Sequence, residues 1–492
     1  MHRRDFLKLA ARTVPVLAGG AVLSQSLQSC SGSLSQHPNI IMILVDDLGW
    51  ADVEYNGSLF YETPNIDRLH SESMEFTNAY AACAVCSPTR ASIMTGQYPA
   101  RIGITDFIPV VRLREQREQN ADFLTQRVHR DEYVQNEGRP LLTPTNNYWL
   151  DLENVTIPEL LKNEEYTTCH IGKWHLGDEP WYPDKQGFDQ NIGGCDLGQP
   201  PSYFDPYHRN EIFPGIPTLE PRNEGEYLVD RNADEAAQFI REGSGQPFFL
   251  NMSHYAVHTP LQAKEELEET YRDKQGFEQN NPTYAAMIQS VDESVGTILD
   301  TLEQEGILND TIIIFTSDNG GLLRATSNAP LRSGKGFPYE GGIRVPLLIK
   351  WPGVTPPGSV DETPVISTDF LPTICDILEI SLPENQTVDG VSLVPLLTQS
   401  DTLERPALFW HFPHYRYDYE VPYSVIRAGD WKLIKRYDGT RYELFNLRND
   451  IGERVNLAEQ MSGKVQDMNE LLEFWLEHVD ADLPKPNPEY AS

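Results

Sequence analysis

An unbroken apolar run, Ile40 to Val45, stops on two adjacent carboxylates, Asp46 and Asp47. A second run, "TIIIFTSDNGG" from Thr311, ends in the same way on Asp318 and Asn319. Apolar residues with no polar alternation fit a strand covered on both faces, the condition of a parallel sheet between helices. Two more segments share the pattern. "PFFLNMSHYAVHTP" from Pro247 leads into His254 and His258, and "TTCHIGKWHLG" from Thr167 sets Lys173 and His175 just past a short strand. Between them Tyr284, Met287, Ile288, Val291, Val295, Ile298, Leu299 and Leu302 recur at steps of three and four, one face of a helix. The expected fold class is therefore α/β, a large mixed, mostly parallel sheet flanked by helices. Ligands of such sheets sit beyond the carboxyl ends of the strands, where each polar cluster falls.

A chain of 492 residues exceeds one small core, so a second, smaller domain is expected. The α/β pattern spans 38–397. From 398 to 492 it gives way to "ALFWHF", "YSVIRAGDWKLIKRY" and "YELFNL", antiparallel strands with a hairpin at Ala428-Gly429-Asp430, and then a closing helix, "VQDMNELLEFWLEHV". This C-terminal α+β unit offers "DWKLIKRY", which reads as ordinary strand surface. Residues 105–154 break the strand–helix rhythm. Their polar stretch, "VRLREQREQNADFLTQRVHRDEY", predicts an inserted helix or loop, a solvated excursion in the simplest reading and a specificity element in the other.

The N-terminus predicts export. "RRDFLK" precedes an apolar stretch too short to span a membrane, so residues 1–29 read as a cleaved signal of the twin-arginine type. "LQSC" resembles a lipobox that would make Cys30 a lipidated anchor at the cell envelope, with 30–37 a flexible lead-in. The alternative is an ordinary signal cut nearby and a periplasmic protein. A formal charge of −34 argues against a nucleic-acid partner, and any anionic substrate needs a locally positive pocket.

Such a pocket has candidate residues. Lys173, His175, His258 and Lys335 each lie in a Gly- or Pro-marked loop, and Arg90 follows "CSPT". His254 reads as structural, and Arg324 and Arg332 stay open. Asp46, Asp47, Asp318 and Asn319 offer oxygen ligands at two strand ends, which points to Ca²⁺ or Mg²⁺ over zinc. Each pair alone would more often begin a turn. Six cysteines are too few for a disulfide scaffold. Cys83 and Cys86 have the C-x-x-C spacing of a redox dithiol or half a zinc site, but no second ligand pair matches it. "SPTRASIMTG" looks like a helix start, with Cys86 at its positive end, a natural place for an anion.

Cys86-Ser87-Pro88-Thr89-Arg90 resembles the C-x-P-x-R signature of type I sulfatases, whose cysteine becomes formylglycine (3-oxoalanine). "NIIMILVDDLGW", "GKWHLG", "HTP", "TSDNGG" and "SGKGFPYEGGIRVP" are similar to further family blocks, in the family's order, from Asn39 to Pro346. The resemblance implies a sulfuric ester hydrolase, similar to bacterial polysaccharide sulfatases. It implies one Ca²⁺ held by Asp46, Asp47, Asp318, Asn319 and the modified Cys86. It assigns Arg90 and Lys173 to the formylglycine and the sulfate oxygens, His175 to release of the covalent intermediate, and His258 and Lys335 to the leaving oxygen and the sulfate. A formylglycine-generating or anaerobic sulfatase-maturing enzyme becomes an implied partner.

The chemistry agrees. A hydrated aldehyde carries two hydroxyls on one carbon, one to attack sulfur and one to expel sulfate, which serine cannot do. The expected substrate is a sulfated oligo- or polysaccharide, algal (ulvan, carrageenan) or a glycosaminoglycan. The aromatics of 193–207 and 410–423 either stack on its rings or simply pack. Two alternatives compete. A phosphomonoester or phosphonate hydrolase would want Ser or Thr at position 86 and several His ligands. A non-catalytic carbohydrate-binding relative would be expected to lack Cys86, Arg90 or Lys173.

Overall fold

The computed structural model describes residues 37–110, 132–243, 245–416, 420–439 and 441–490. Its centre is an eight-stranded sheet in the order Ser359–Asp361, Met74–Phe76, Leu347–Lys350, Thr311–Ser317, Asn39–Val45, Phe248–Ser253, Thr167–Gly172, Gln190–Ile192. Only Leu347–Lys350 runs against the others. Asn39–Val45 lies in the middle, paired in parallel with Phe248–Ser253 on one side and Thr311–Ser317 on the other.

The unbroken apolar run is explained by what covers it. Ile41, Ile43 and Val45 enter one core with the helices Leu228–Glu242 and Pro282–Gln304. Ile40, Met42 and Leu44 enter a second core with Cys86–Thr95 and Phe370–Ile377. Alternation at period two is thus present, but both faces are apolar. Burying each such side chain contributes roughly 1.5–3 kcal/mol, so a polar substitution here would cost the whole sheet.

The C-terminal part forms a four-stranded antiparallel sheet, Leu408–Phe412, Tyr423–Ala428, Trp431–Arg436 and Arg441–Asn446, against the helix Ser462–His478. The hairpin turns at Gly429, as expected, with Ala428 paired to Trp431. A third core joins this sheet to the α/β part. It takes Leu472 and Trp475 from the helix together with Ala82, Ala84 and Val85, the residues just before Cys86.

Three expectations change. Lys432 of "DWKLIKRY" is fully buried between Glu340 and Glu453, both at 2.9 Å, and is neither strand surface nor a ligand contact. The aromatics Tyr203, Tyr207, Trp410, Phe412 and Tyr423 are core residues, so they pack and do not stack on sugars. The 105–154 segment is a solvated excursion only in part: 132–140 are exposed or half-buried, while 105–110 and 141–150 are buried or half-buried. Leu141–Pro144 is the middle strand of a small sheet between Tyr133–Val134 and Lys485–Pro486. The polar stretch at 111–131 and the export and Cys30 features of 1–36 lie outside the described residues. No helix among the described residues is long and apolar enough to cross a membrane.

Candidate active site

The carboxyl ends of four adjacent parallel strands deliver Asp46-Asp47, Lys173 to His175, His254 to His258, and Asp318-Asn319 to one place. Cys86 comes from the opposite direction, as the first residue of the helix Cys86–Thr95, with Val85 extended before it. Pro88 sits in the first turn, where its missing N–H costs no helical hydrogen bond. The helix has no acidic residue in that turn, so its unpaired N–H groups are left to face an anion.

Arg90, one turn on, is buried and points back under the strands. Its Nε donates to Asp318 Oδ2 at 2.8 Å, and one terminal nitrogen donates to the Lys173 carbonyl at 2.8 Å and Ser253 Oγ at 2.7 Å. Lys173 Nζ donates to Asp46 Oδ2 at 2.6 Å, and Lys335 Nζ to Asp47 Oδ1 at 2.5 Å. Asn319 Nδ2 also donates to Asp47 Oδ1, at 2.8 Å. Three cations therefore meet three carboxylates, all buried.

The pairing is incomplete in one respect. Asp46 Oδ1, Asp47 Oδ2 and Asn319 Oδ1 are buried oxygens with no hydrogen-bond partner. One ligand atom each of Asp46, Asp318 and Cys86 lies within 4.8 Å of the others. A buried carboxylate oxygen left bare costs on the order of 1–3 kcal/mol or more unless a cation fills the gap. Electrostatics records the crowding. Burial, with the Asp318 and Asp47 charges beside it, pushes the Asp46 carboxyl well up despite the pull of Lys173. Burial also acts on Asp47 and Asp318, but Lys335 and His258 hold the first below the usual carboxylate range and Arg90 and Lys173 the second. The oxygen donors of Asp46, Asp47, Asp318 and Asn319, with no His in the Asp46, Asp318 and Cys86 group, fit a hard divalent cation such as Ca²⁺.

His175 is set as a base toward residue 86. Its Nε2 lies 2.8 Å from the Ile108 carbonyl, which only accepts, so Nε2 carries the hydrogen. Nδ1 is left as the bare nitrogen, 3.4 Å from Cys86 Sγ. Burial and the Lys173 charge keep the ring neutral, well below its ordinary pKa. His175 and Asp47 both hold φ near +60°, a left-handed conformation that costs a non-glycine residue of order 1–3 kcal/mol. Gly198 lets the ring sit there, because a Cβ at 198 would lie 2.5 Å from His175 Cε1.

His258 is half-buried at the mouth. Its Nδ1 donates to the Thr259 carbonyl at 2.9 Å, and Nε2 lies 3.7 Å from Asp47 Oδ2. Burial and Lys335 lower its pKa to about 3. Cys86, His175, His258 and Lys335 open onto a cavity of about 870 Å³. All the site residues expected from sequence thus converge. His254, by contrast, is buried against Ser294 at 3.3 Å, and Arg332 packs 3.7 Å over the Tyr339 ring.

Sequence reasoning missed four supports. Ser253 and the Ile108 carbonyl hold Arg90 and His175. Tyr284 Oη donates to the Asp47 carbonyl at 3.1 Å and to Asp52 Oδ2 at 2.8 Å, and Asp52 in turn accepts Gly49 N–H at 2.8 Å. The Asp46-Asp47 turn is therefore pinned from behind. Of these, Asp52 left a sequence trace as an acid seven residues past the strand end at Val45, and Tyr284 only as a member of the apolar helix face.

This fold and this cluster of cations, carboxylates and a helix-terminal Cys86 define a hydrolase of anionic esters. The family model "Sulfatase" matches residues 38–380, and "N-sulphoglucosamine sulphohydrolase, C-terminal" matches 333–481. A sulfatase of Formosa agariphila is 32% identical over 90% of this chain and 89% of its own. N-acetylgalactosamine-6-sulfatase of Homo sapiens is 32% identical over 76% and 68%. The crystal structure of Ps i-CgsB in complex with k-i-k-neocarrahexaose is 31% identical, with a TM-score of 0.74 over 89% of this chain and 92% of that one. The chain belongs to the sulfatase family. It is a sulfatase, a sulfuric ester hydrolase.

Proposed function

We propose that the protein removes sulfate from sulfated oligo- and polysaccharides, with Cys86 converted to formylglycine and one Ca²⁺ held by Asp46, Asp47, Asp318 and Asn319. The observation that carries this is the trio of unpartnered buried oxygens beside Cys86, with the bare nitrogen of His175 on the same residue. The carbohydrate class is supported by relatives of that activity and by the neighbour bound to a carrageenan-type hexasaccharide.

A formylglycine hydrate at 86 would supply one hydroxyl to attack sulfur and a second through which sulfate is later expelled. The chain's own residues do the rest. Asp46, Asp47, Asp318 and Asn319 would hold the cation, and Arg90 braces Asp318 and Asp46 from the interior. The buried Lys173 and Lys335 stabilise negative charge on the sulfuryl oxygens. His175 Nδ1 accepts the proton from residue 86, its orientation set by Ile108. His258 carries a proton to the leaving oxygen once the substrate's negative charge offsets Lys335.

We also propose that the chain is exported through the twin-arginine route, to be held in the periplasm or at the cell envelope through Cys30, and that a formylglycine-generating or anaerobic maturing enzyme acts on Cys86. The test is inorganic sulfate release from a panel of defined sulfated oligosaccharides, with phosphate esters alongside and a Cys86→Ala control. Peptide mass spectrometry reads the modification. Loss of release in the control and an aldehyde mass at 86 are expected. Full activity in the control, an unmodified thiol in active protein, or a preference for phosphate esters would refute the mechanism.

A further inference from the structure

The cavity above Cys86 reverses the charge of the chain. The protein holds 73 acidic and 39 Lys and Arg residues, so a random patch should be acidic. Among the described residues the lining of this cavity instead contains Arg209, Arg324, Arg416 and Lys335 against one acid, Asp47, which is buried on Lys335. Lys335 belongs to the sulfate site already described, and Arg416 lies 5.0 Å over the Phe107 ring. Arg209 and Arg324 remain. Both are exposed, and neither forms an ion pair among the described residues.

Their backbones are held. Arg324 stands at the tip of a turn closed by Ala325 and Thr326 N–H on the Leu322 carbonyl, at 2.8 and 3.0 Å. Thr326 Oγ1 ties that turn to Asp52 at 2.7 Å, behind the Asp46-Asp47 pair. Arg209 opens a turn in which its N–H donates to the Phe213 carbonyl at 3.0 Å, and Asn210 Oδ1 accepts the N–H groups of Ile212 and Phe213, each at 3.0 Å. Two hydrogen-bonded turns from separate parts of the chain therefore carry one guanidinium each to the lining of the same cavity. A guanidinium presents a planar fork that matches sulfate or carboxylate.

We infer that Arg209 and Arg324 form a subsite for a second anionic group of the substrate, a sulfate or a uronate carboxylate, beside the sulfate that is hydrolysed. This rests on the sulfated-carbohydrate reading and names its class: an oligosaccharide carrying at least two anions. Physical need supports it. A substrate with several negative charges is repelled by a chain of −34, and only fixed local cations turn its approach favourable.

Binding to the Cys86→Ala protein separates this inference from turnover. Calorimetric Kd values are compared for matched oligosaccharides bearing one sulfate, two sulfates, or one sulfate and one uronate, in the Cys86→Ala protein with and without Arg209→Ala and Arg324→Ala. Each exposed pair is worth up to about 1 kcal/mol, so each loss should shrink the two-anion preference up to about fivefold and both together up to about twenty-fivefold. The two-sulfate and uronate arms identify which anion is read. The preference should fade at high salt, and Arg324→Lys should keep part of it. Equal binding of one- and two-anion sugars, or a preference that survives loss of both arginines, would overturn the inference. Sulfate release by the Cys86 protein is scored apart: if it fails on every sugar, the carbohydrate reading falls on its own.

Discussion

Two buried charge clusters of this molecule look alike and behave differently. At the active site, Asp46, Asp47 and Asp318 face Arg90, Lys173 and Lys335, and three oxygens stay bare. Between the α/β part and the C-terminal sheet, both Glu340 oxygens and one Glu453 oxygen accept hydrogen bonds within 2.9 Å, and the other, Glu453 Oε1, has no hydrogen bond but lies 2.9 Å from the Lys432 ammonium. The second cluster is closed by its ion pairs. It fastens the loop that carries Lys335 to the antiparallel sheet, and Gly336 N–H, donating to the Ala84 carbonyl at 2.8 Å, fastens that loop to the segment before Cys86. The first cluster is left open on the side that faces Cys86. Buried charge by itself therefore does not mark a catalytic site. Incomplete satisfaction beside a nucleophile position does.

The comparison can be broken at either end. The largest effect is expected at the open cluster: His175→Ala should lower kcat about 10³-fold, with the melting temperature little changed, because only the proton acceptor is removed. Steady-state sulfate release and a thermal melt on one preparation decide it. Equal losses in kcat and in folded fraction would make His175 merely structural.

At the closed cluster, Lys432→Met should cost about 3–5 kcal/mol, because Glu453 then loses its cation and shares a buried space with Glu340, which keeps only the Arg344 ion pair. Denaturant unfolding measures this. The surviving folded protein should keep its Ca²⁺ response, which would separate the two clusters cleanly.

The metal effect is intermediate. Ca²⁺ at 100 times its Kd should stabilise the protein by about 3 kcal/mol, and chelation should remove both that gain and the activity. Asp318→Asn should abolish the Ca²⁺-dependent rise in Tm. A rise of the same size in this variant would place the ion elsewhere.

The smallest effect is in pH. Burial, and the nearby Glu340 charge, raise Glu453 to about 7 from an unfolded value near 4.5. Its contribution is complete below about pH 4.5 and is lost as pH rises through about 7, since the folded state binds the extra proton only in that window. Tm should fall by about 2 °C between pH 5 and pH 8 on this account, and Glu453→Gln should flatten that slope. An unchanged slope would refute the assignment.

Much of the site was legible because its residues follow strand ends. An apolar run that stops on Asp46-Asp47 or Asp318-Asn319 states its own direction and its own face of the sheet. Lys173, His175 and His258 follow the same rule, and Pro88 announced the helix that starts at Cys86. What stayed hidden had no periodic signature. The Ile108 carbonyl is a backbone group in a segment whose polar neighbours suggested solvent. Lys432 looked exposed because a strand's inward lysine is indistinguishable in sequence from an outward one until its partners Glu340 and Glu453 arrive from far along the chain. Tyr203, Tyr207, Trp410, Phe412 and Tyr423 could have faced a sugar or a core, and only burial separated the two.

Local order was therefore written in the chain itself: the parallel core strands, the helix that presents Cys86, and the types of residue able to hold a cation and an anionic ester. That is so because hydrophobic period and helix-start chemistry act between near neighbours. The tertiary structure decided the rest. It chose which nitrogen of His175 is bare, which oxygens go unpaired, and which two arginines of an acidic chain stand over the cavity. Those outcomes depend on contacts between residues tens to hundreds of positions apart, whose geometry no local pattern encodes.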